Sequence, residues 1–497
     1  MGIVIRQSII STIISYVGVA IGYINLLYLY PKFLSPDQVG LFRTIQDAAI
    51  LFSPFAQFGL TQSIFRFYPQ FVSTRQTSHA FITFMLLFAL TGFTIFFVLF
   101  KFFETSLLSY FQENAQEIIG YASLVIWLTL ILVIIAAFEA YSRSLLKTVF
   151  PNLIREVVAR LLLSVLVMLY FSGLLSFNQF MIGSVMVYLI CLLLLFLYLW
   201  INNDLRISFN FGLLNKEKMP ELLRYSSLSF AGMAGMILIG KMDSMMVSSM
   251  VGLAANAVYT TAFYMATVIE IPKRALSQIA MPLISRAFEK NDLADISKIY
   301  QKTAINQLII GSLLLIGIYA NIDSIFSLMP KKEIYEMGKW VVIIVGLGKL
   351  SDMAFGPSSE IIVLSKHYAF NIVLILSLAI ILIVGNVIFI PIYGINGAAY
   401  GTALALLFFN AVKFLFLWIK LKMQPFSTDT VKILSIACVT LGVNHILPTL
   451  VNTVFDILFR SGIITIIFVS LVLVLKVSPE GNKLFVSLLK IVTRRKN

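Results

Sequence analysis

The chain has 497 residues, 59% of them hydrophobic and 12% charged, where a soluble domain carries roughly 45–50% apolar and about 25% charged residues. So little charge cannot coat a water-soluble surface of this size, which excludes a soluble enzyme, a disordered chain and a fibrous protein. The charge present is one-sided: 37 Lys and Arg against 23 Asp and Glu give a net charge of +14, and the position of the basic residues decides between nucleic acid and a membrane as its reason.

A helical span needs about 20 apolar residues, and charge-free runs of that size recur from end to end. Gln7–Pro31 supports span 1, and the run is longer than a signal-peptide core of about 7–15 residues, which predicts a retained anchor. Span 2 falls near 39–60, and spans 3 and 4 on Ala80–Phe100 and Ile118–Phe138. Leu161–Asn203 holds spans 5 and 6, parted by Ser172-Gly173 and Asn178-Gln179. Spans 7 and 8 fall near 222–248 and on Ser244–Ile269, and spans 9 and 10 near 303–322 and 336–356. Tyr368–Val412 holds spans 11 and 12, parted by Pro391-Ile-Tyr-Gly394; Ile433–Phe455 and 458–476 give spans 13 and 14. The expected fold is an all-α polytopic membrane protein of about fourteen transmembrane helices. Residues 273–302 read as a loop with an amphipathic surface helix, with Leu293, Ile296, Ile299 and Tyr300 on one face. The longest outer connections, 102–117 and 321–337, are too short for a catalytic domain. Cys191 and Cys438 both fall in apolar runs and read as small buried hydrophobes.

With the N-terminus placed in the cytoplasm, 25 basic residues fall in inner connections and tails, 4 in outer ones and 8 within spans. That satisfies the positive-inside rule and supports the span count, because one missed span would scramble the alternation downstream. Most of the +14 is therefore a signal of topology in a multi-pass membrane protein, with both ends cytoplasmic and no role for nucleic acid. Anionic lipid of the inner leaflet is a further partner for it.

Two segments about 217 positions apart are alike: Phe33-Leu-Ser-Pro-Asp-Gln-Val-Gly-Leu-Phe42 and Met250-Val-Gly-Leu-Ala-Ala-Asn-Ala-Val-Tyr259. Each is a short outer turn entering a helix, with a small residue (Gly40, Ala257) two before an aromatic (Phe42, Tyr259). Pro69 and Pro282 follow at comparable places. An even number of spans between the copies makes them parallel repeats, an arrangement that suits alternating access. The expected organisation is a six-helix bundle over 1–204, a basic linker over 205–221, a second six-helix bundle over 222–422, and two extra helices with a basic tail over 423–497.

Leu34-Ser-Pro-Asp-Gln-Val-Gly-Leu-Phe42, followed by Phe58-Gly-Leu60, resembles the opening of polysaccharide-biosynthesis flippases. Met242-Asp243 and Pro391-Ile-Tyr-Gly-Ile-Asn-Gly-Ala-Ala399 add to the likeness. These flippases belong to the multidrug/oligosaccharidyl-lipid/polysaccharide exporter superfamily. The resemblance covers essentially the whole chain. It implies a non-enzymatic flippase that moves undecaprenyl-pyrophosphate-linked oligosaccharide, such as an O-antigen unit of lipopolysaccharide, from the inner to the outer leaflet. Glycan-assembly enzymes would be its partners. A multidrug exporter of the same superfamily and a membrane-embedded glycan polymerase or ligase are the rival readings. Span 1 has no Asp or Glu between Gln7 and Pro31. Some multidrug exporters of the superfamily carry a cation-coupling carboxylate there, so its absence weakens the first rival and leaves proton or sodium coupling open.

Ionisable groups at membrane depth cost about 2.5–3.5 kcal/mol each on insertion scales and face a cavity or a partner. Arg43 and Asp47, four apart in span 2, read either as a self-neutralising pair or as a cavity Arg for a diphosphate with Asp47 tuning it. Arg66 follows span 2 at the cytoplasmic interface. Glu156 and Arg160 form an i,i+4 pair at the start of span 5, with Arg160 roughly 13 Å deep at 1.5 Å per residue. Lys241 and Asp243, two apart, point to different faces, so each needs a partner elsewhere. Lys349 and Asp352 are three apart and can pair on one helix, while Glu139–Arg143 and Glu270–Lys273/Arg274 read as interfacial ion pairs. The expected substrate-binding cations are thus Arg43, Arg66, Arg160, Lys241 and Lys349, and the coupling or structural acids are Asp47, Asp243, Asp352 and Glu270. The rest of the chain carries decoys. Gly235-Met-Ile-Leu-Ile-Gly-Lys241 matches a phosphate loop but lies in an apolar helix and lacks the closing Ser or Thr. Gly18-x-x-x-Gly22 and Gly397-x-x-x-Gly401 permit close helix packing. The three His have no metal-ligand spacing, and no cofactor motif is present.

Overall fold

Inside a bilayer no water bonds to the backbone, and an α-helix satisfies every N–H and C=O within its own segment. The computed structural model of the chain describes residues 2–72, 74–214, 216–479 and 481–482, and it is helical throughout with no strand among them. The basic tail expected over 483–497 lies outside the described residues. The chain gathers into two compact units, Met1–Thr260 and Thr261–Asn497.

The first unit begins with α1, Gly2–Ile24, which runs on through a π-helical turn at Asn25–Leu29 to Phe33. α2, Pro36–Gln57, opens where the Ser-Pro-Asp-Gln motif makes a helix start. Ser35 Oγ accepts from the Gln38 amide, Gln38 Oε1 accepts from the Ser35 amide, and Pro36 takes the first turn, where its missing N–H costs nothing. Phe58 and Gly59 are both left-handed (φ 47° and 76°) and bend the chain by 42° into α3, Leu60–Phe71. A Cβ on Gly59 would lie 2.1 Å from the Ser226 carbonyl oxygen, so the position needs glycine for space as well as for its φ. α4 (Arg75–Ser109), α5 (Ala122–Ser144), α6 (Ala159–Phe171), α7 (Phe177–Ile201) and α8 (Met219–Met250) follow. α9, Leu253–Thr267, starts after Gly252, whose φ is 123°.

The second unit contains α10 (Ile271–Glu289), α11 (Leu293–Ser327), α12 (Lys339–Ala354), α13 (Ser358–Leu364), α14 (Tyr368–Tyr393), α15 (Ile395–Leu421), α16 (Thr428–Ile446) and α17 (Thr453–Val474). The stretch entering α12 and α13 forms a second bent pair, at 48°. Each unit packs its own apolar core. In the first, Phe67, Phe81, Val133 and Tyr141 close one cluster and Phe42, Val167 and Phe180 another. In the second, Ile284, Tyr300 and Leu417 form one, and Ile433, Ile464 and Phe468 another.

Among the described residues nine helices are long and apolar enough to cross a membrane, or eleven if each bent pair is one span. A total of fourteen also needs α6, α9 and α16, which have 13, 15 and 19 residues. Several sequence expectations change. Ser244–Ile269 is not one span, because the chain turns at Val251-Gly252 between α8 and α9. Residues 273–302 are not a loop: α10 fills most of the stretch, and 293–302 are the first turns of the 35-residue α11, with Leu293 exposed. The outer connections shorten because α4 and α11 continue as helix to Ser109 and Ser327. Cys191 is buried as expected, but Cys438 lies on an exposed face of α16.

Candidate functional site: the intramembrane charges

In the first unit α2 meets the corner between α8 and α9. Gly40 makes the approach possible, since a Cβ there would sit 1.8 Å from the Leu253 carbonyl oxygen. Small polar side chains fill the seam. Thr44 and Ser248 hydroxyls are 2.6 Å apart, Asn256 Nδ2 donates to Thr44 Oγ1 at 2.9 Å, and Ser244 donates to Asn256 Oδ1 at 3.0 Å. Beside this seam Lys241 Nζ donates to Asp47 Oδ1 at 2.5 Å. Asp47 thus takes Lys241 from α8 as its ion-pair partner, where the sequence offered Arg43 on its own helix. Arg43 is half-buried with its guanidinium 5.5 Å from the Tyr30 ring centre, a cation–π distance. Asp243 is buried and accepts from Tyr259 Oη at 2.8 Å, so Lys241 and Asp243 do point to different partners.

Arg160 keeps its local partner. Nη2 donates to Glu156 Oε2 at 2.8 Å and Nη1 donates to the Gly18 carbonyl. The Gly18-x-x-x-Gly22 pair is what admits this group: a Cβ on Gly18 would lie 2.5 Å from the Glu156 carbonyl oxygen, and one on Gly22 2.9 Å from Arg160 Nη1. Arg66, on α3, is exposed; it pairs with Glu221 at 3.2 Å and covers the Tyr225 ring at 4.3 Å. Glu139 is buried and binds two arginines, Arg143 at 3.2 Å and Arg155 at 2.9 Å.

In the second unit the expected Lys349–Asp352 pair is replaced by a wider network. Lys349 Nζ donates to Glu270 Oε2 at 2.5 Å and lies 5.7 Å from the Phe263 ring centre. Asp352 is bound by Lys273 through one oxygen and by Lys413 through the other, the latter at 3.5 Å. Lys413 also donates to Ser359 Oγ at 3.1 Å. Lys273 therefore leaves its expected partner Glu270, which keeps the exposed Arg274 at 3.8 Å. The reason is geometric: Lys349 and Asp352, both half-buried, each find an opposite charge on a segment far away in sequence, Glu270 for one and Lys273 and Lys413 for the other.

Sequence reasoning missed three groups. Lys413 is 1% exposed, and a lysine that buried must be paired; its position four residues after Phe409, inside an otherwise apolar helix, was the available signal. Lys273 read as an interfacial partner of Glu270, and its bond to Asp352 was missed. Asp456 and Arg460, four apart on α17, form a buried pair with both carboxylate oxygens on Arg460 Nε, at 3.1 and 3.0 Å. The same guanidinium binds Asn444 Oδ1 and the Leu447 and Pro448 carbonyls, and Asp456 also accepts from the Leu450 amide and Ser324. Among the described residues no three His, Cys, Asp or Glu side chains are grouped to hold a metal ion.

The chemistry open to these groups is counter-ion exchange. A cation such as Lys241 or Lys349, held by one carboxylate in an apolar setting, binds a second anion only by loosening the first.

The chain is similar in structure to lipid II flippase MurJ in an inward closed conformation, with a TM-score of 0.77 and 15% identity over 94% of this chain and 98% of that one. It is also similar to an inward-facing multidrug resistance MATE family transporter of the MOP superfamily, with a TM-score of 0.62 and 14% identity over 84% and 98% of the two chains. A MOP superfamily transporter from Pyrococcus furiosus, described by a binding pocket of reversed polarity, gives 0.56 and 13% over 84% and 95%. These likenesses, all at 15% identity or below, show a shared multi-helical fold. No curated protein matches the sequence. The model of the polysaccharide biosynthesis protein family matches residues 4–288, more than half of the chain, and the chain belongs to that family.

Proposed function

We propose that the protein is a flippase for polyprenyl-pyrophosphate-linked oligosaccharide in a bacterial plasma membrane, working by alternating access and making or breaking no covalent bond. The observation that carries this reading is the joint one of family and fold: a polysaccharide biosynthesis family match together with a lipid II flippase fold over 94% of the chain. In this reading Arg43, Lys241 and Lys349 are the cations that meet the diphosphate, with Arg160 and the exposed Arg66 guiding it. Asp47 and Glu270 hold Lys241 and Lys349 when substrate is absent, and Asp243 and Asp352 fix the frame around them. Arg43 suits the task because a planar guanidinium binds two phosphate oxygens at once. The repeats belong to halves over 1–204 and 222–422 joined by 205–221, with 423–497 appended. Both ends face the cytoplasm, on the strength of the 25 to 4 bias of basic residues.

The test is a proteoliposome assay with a defined undecaprenyl-pyrophosphate oligosaccharide, read by accessibility of the glycan to an external lectin, with proton and sodium gradients applied in turn. Transfer of glycan to the outer face at a rate well above protein-free vesicles is expected. No transfer, with efflux of amphiphilic cations from the same vesicles, would favour the exporter reading that the MATE likeness supports. Elongated glycan in the same vesicles would favour a polymerase.

A further inference from the structure

Outside the paired charges, one basic side chain stands in a built setting that no part of the transport reading uses. α7 ends with Phe196, Trp200 and Ile201 on its outer face, and the chain turns at Asn203, which is left-handed at φ 54°. The next residues leave the helix and are fastened to α4 and α5. His79 Nε2 is 3.2 Å from the Asn203 carbonyl oxygen, Tyr141 Oη donates to the Asp204 carbonyl at 2.6 Å, and the Ser208 amide donates to Thr83 Oγ1 at 3.0 Å. Leu205 is buried, and the Asp204 carboxylate is neutralised by Lys147.

Pinned on one side, this segment presents the other outward. Ile207 is 73% exposed, Phe209 69% and Trp200 58%. Between them Arg206 is exposed, with Nη2 donating to Asn203 Oδ1 at 2.9 Å, which leaves its five-donor fork capacity for a further acceptor. Phe196, Trp200, Ile201, Asn203, Leu205, Arg206 and Ile207 line an open groove of about 640 Å³, within the roughly 300–1,000 Å³ of ordinary ligand sites.

We propose that this groove binds one anionic glycerophospholipid of the surrounding bilayer. Its acyl chain lies on Phe196 and Trp200 and its phosphodiester on Arg206. The chemistry is complementary at both ends: an apolar floor at the end of a spanning helix, and an arginine whose adjacent carboxylate is already neutralised. Trp at a helix end suits the boundary between acyl chains and headgroups. A water-soluble partner would leave Ile207, Phe209 and Ile201 either in water or in need of a large apolar surface of its own. A bilayer supplies that surface at no cost. The site is independent of the transported glycan, so it stands or falls apart from the flippase reading.

Trp200 gives a direct readout. In a protein with Trp127, Trp340 and Trp418 replaced by Phe, quenching of Trp200 by lipids with brominated chains measures the lipid at the groove. In mixed bilayers phosphatidylglycerol is expected to outcompete phosphatidylcholine at Trp200 by about threefold or more, and Arg206→Gln to bring that ratio to about one. A protein retaining Trp127 alone is expected to show no such preference. Inorganic phosphate at millimolar concentration is expected to leave the Trp200 ratio unchanged. A ratio near one in the Arg206 protein, the same ratio in Arg206→Gln, an equal preference at Trp127, or displacement by inorganic phosphate would each overturn the proposal.

Discussion

Lys413 shows what a single charge requires at membrane depth. Its ammonium is 1% exposed and meets Asp352 and Ser359, and Asp352 also carries Lys273. Asp352→Asn leaves the buried Lys413 and the half-buried Lys273 short of a counter-charge, and removing one member of a buried pair costs about 3–5 kcal/mol. The detergent-purified variant is expected to unfold well below the unsubstituted protein in a thermal scan. Asp352→Asn combined with Lys413→Met should recover part of that loss, because the second change removes a stranded charge. Lys241 and Asp47 pose a different question, since their pair at 2.5 Å serves either packing or substrate. Charge-neutral Lys241→Gln is expected to abolish glycan export in cells at normal expression. The swap of Lys241→Asp with Asp47→Lys separates the two roles. A merely structural pair would be rescued by it, whereas export should stay lost if Lys241 meets the diphosphate from its own position.

Between helices, glycine decides how close the backbones come. A Cβ on Gly40 would meet the fixed Leu253 carbonyl oxygen at 1.8 Å, while one on Gly22 would meet the movable end of Arg160 at 2.9 Å. Gly40→Ala must therefore push α2 away from the α8–α9 corner and strain the Thr44, Ser248 and Asn256 hydrogen bonds. Gly40→Ala is expected to lower both thermal stability and export markedly, and Gly22→Ala to be mild in both. Equal effects would contradict the contact geometry. The last two helices carry a different device. Asp456 and Arg460 tie α17 to Asn444 at the end of α16, to the 447–450 connection and, through Ser324, to α11. Asp456→Ala removes both Arg460 Nε bonds and the Leu450 cap together. Faster proteolysis within the 447–452 connection is the expected result, with the rest of the chain as resistant as before.

Taken as a whole chain, the +14 charge is expected to divide into a topological majority and a small remainder inside the spans. Reporter fusions at Gln112 and Arg206 test the majority, with an outer and a cytoplasmic signal expected respectively. Much of the fold was legible in the sequence because its causes are local. Twenty-residue apolar runs dictate helices in lipid. The Ser-Pro-Asp-Gln stretch dictates a helix start, and Gly59, Gly252 and Gly394 mark turns by their positive φ. Two pairs four apart were legible for the same reason, Glu156–Arg160 and Glu139–Arg143, but spacing alone did not decide: Asp47 takes Lys241 rather than Arg43, and Asp456–Arg460 was missed. The remaining pairings were not legible. Asp47 with Lys241, Glu270 with Lys349, and Asp352 with Lys273 and Lys413 join helices far apart in sequence. No periodicity within one helix fixes which face of another it will meet. The sequence by itself determined that this chain spans a membrane as helices and that some ionisable groups fall within its apolar runs. Only the tertiary structure decided which charge neutralises which, because in an apolar medium a charge takes the counter-ion that packing brings within reach.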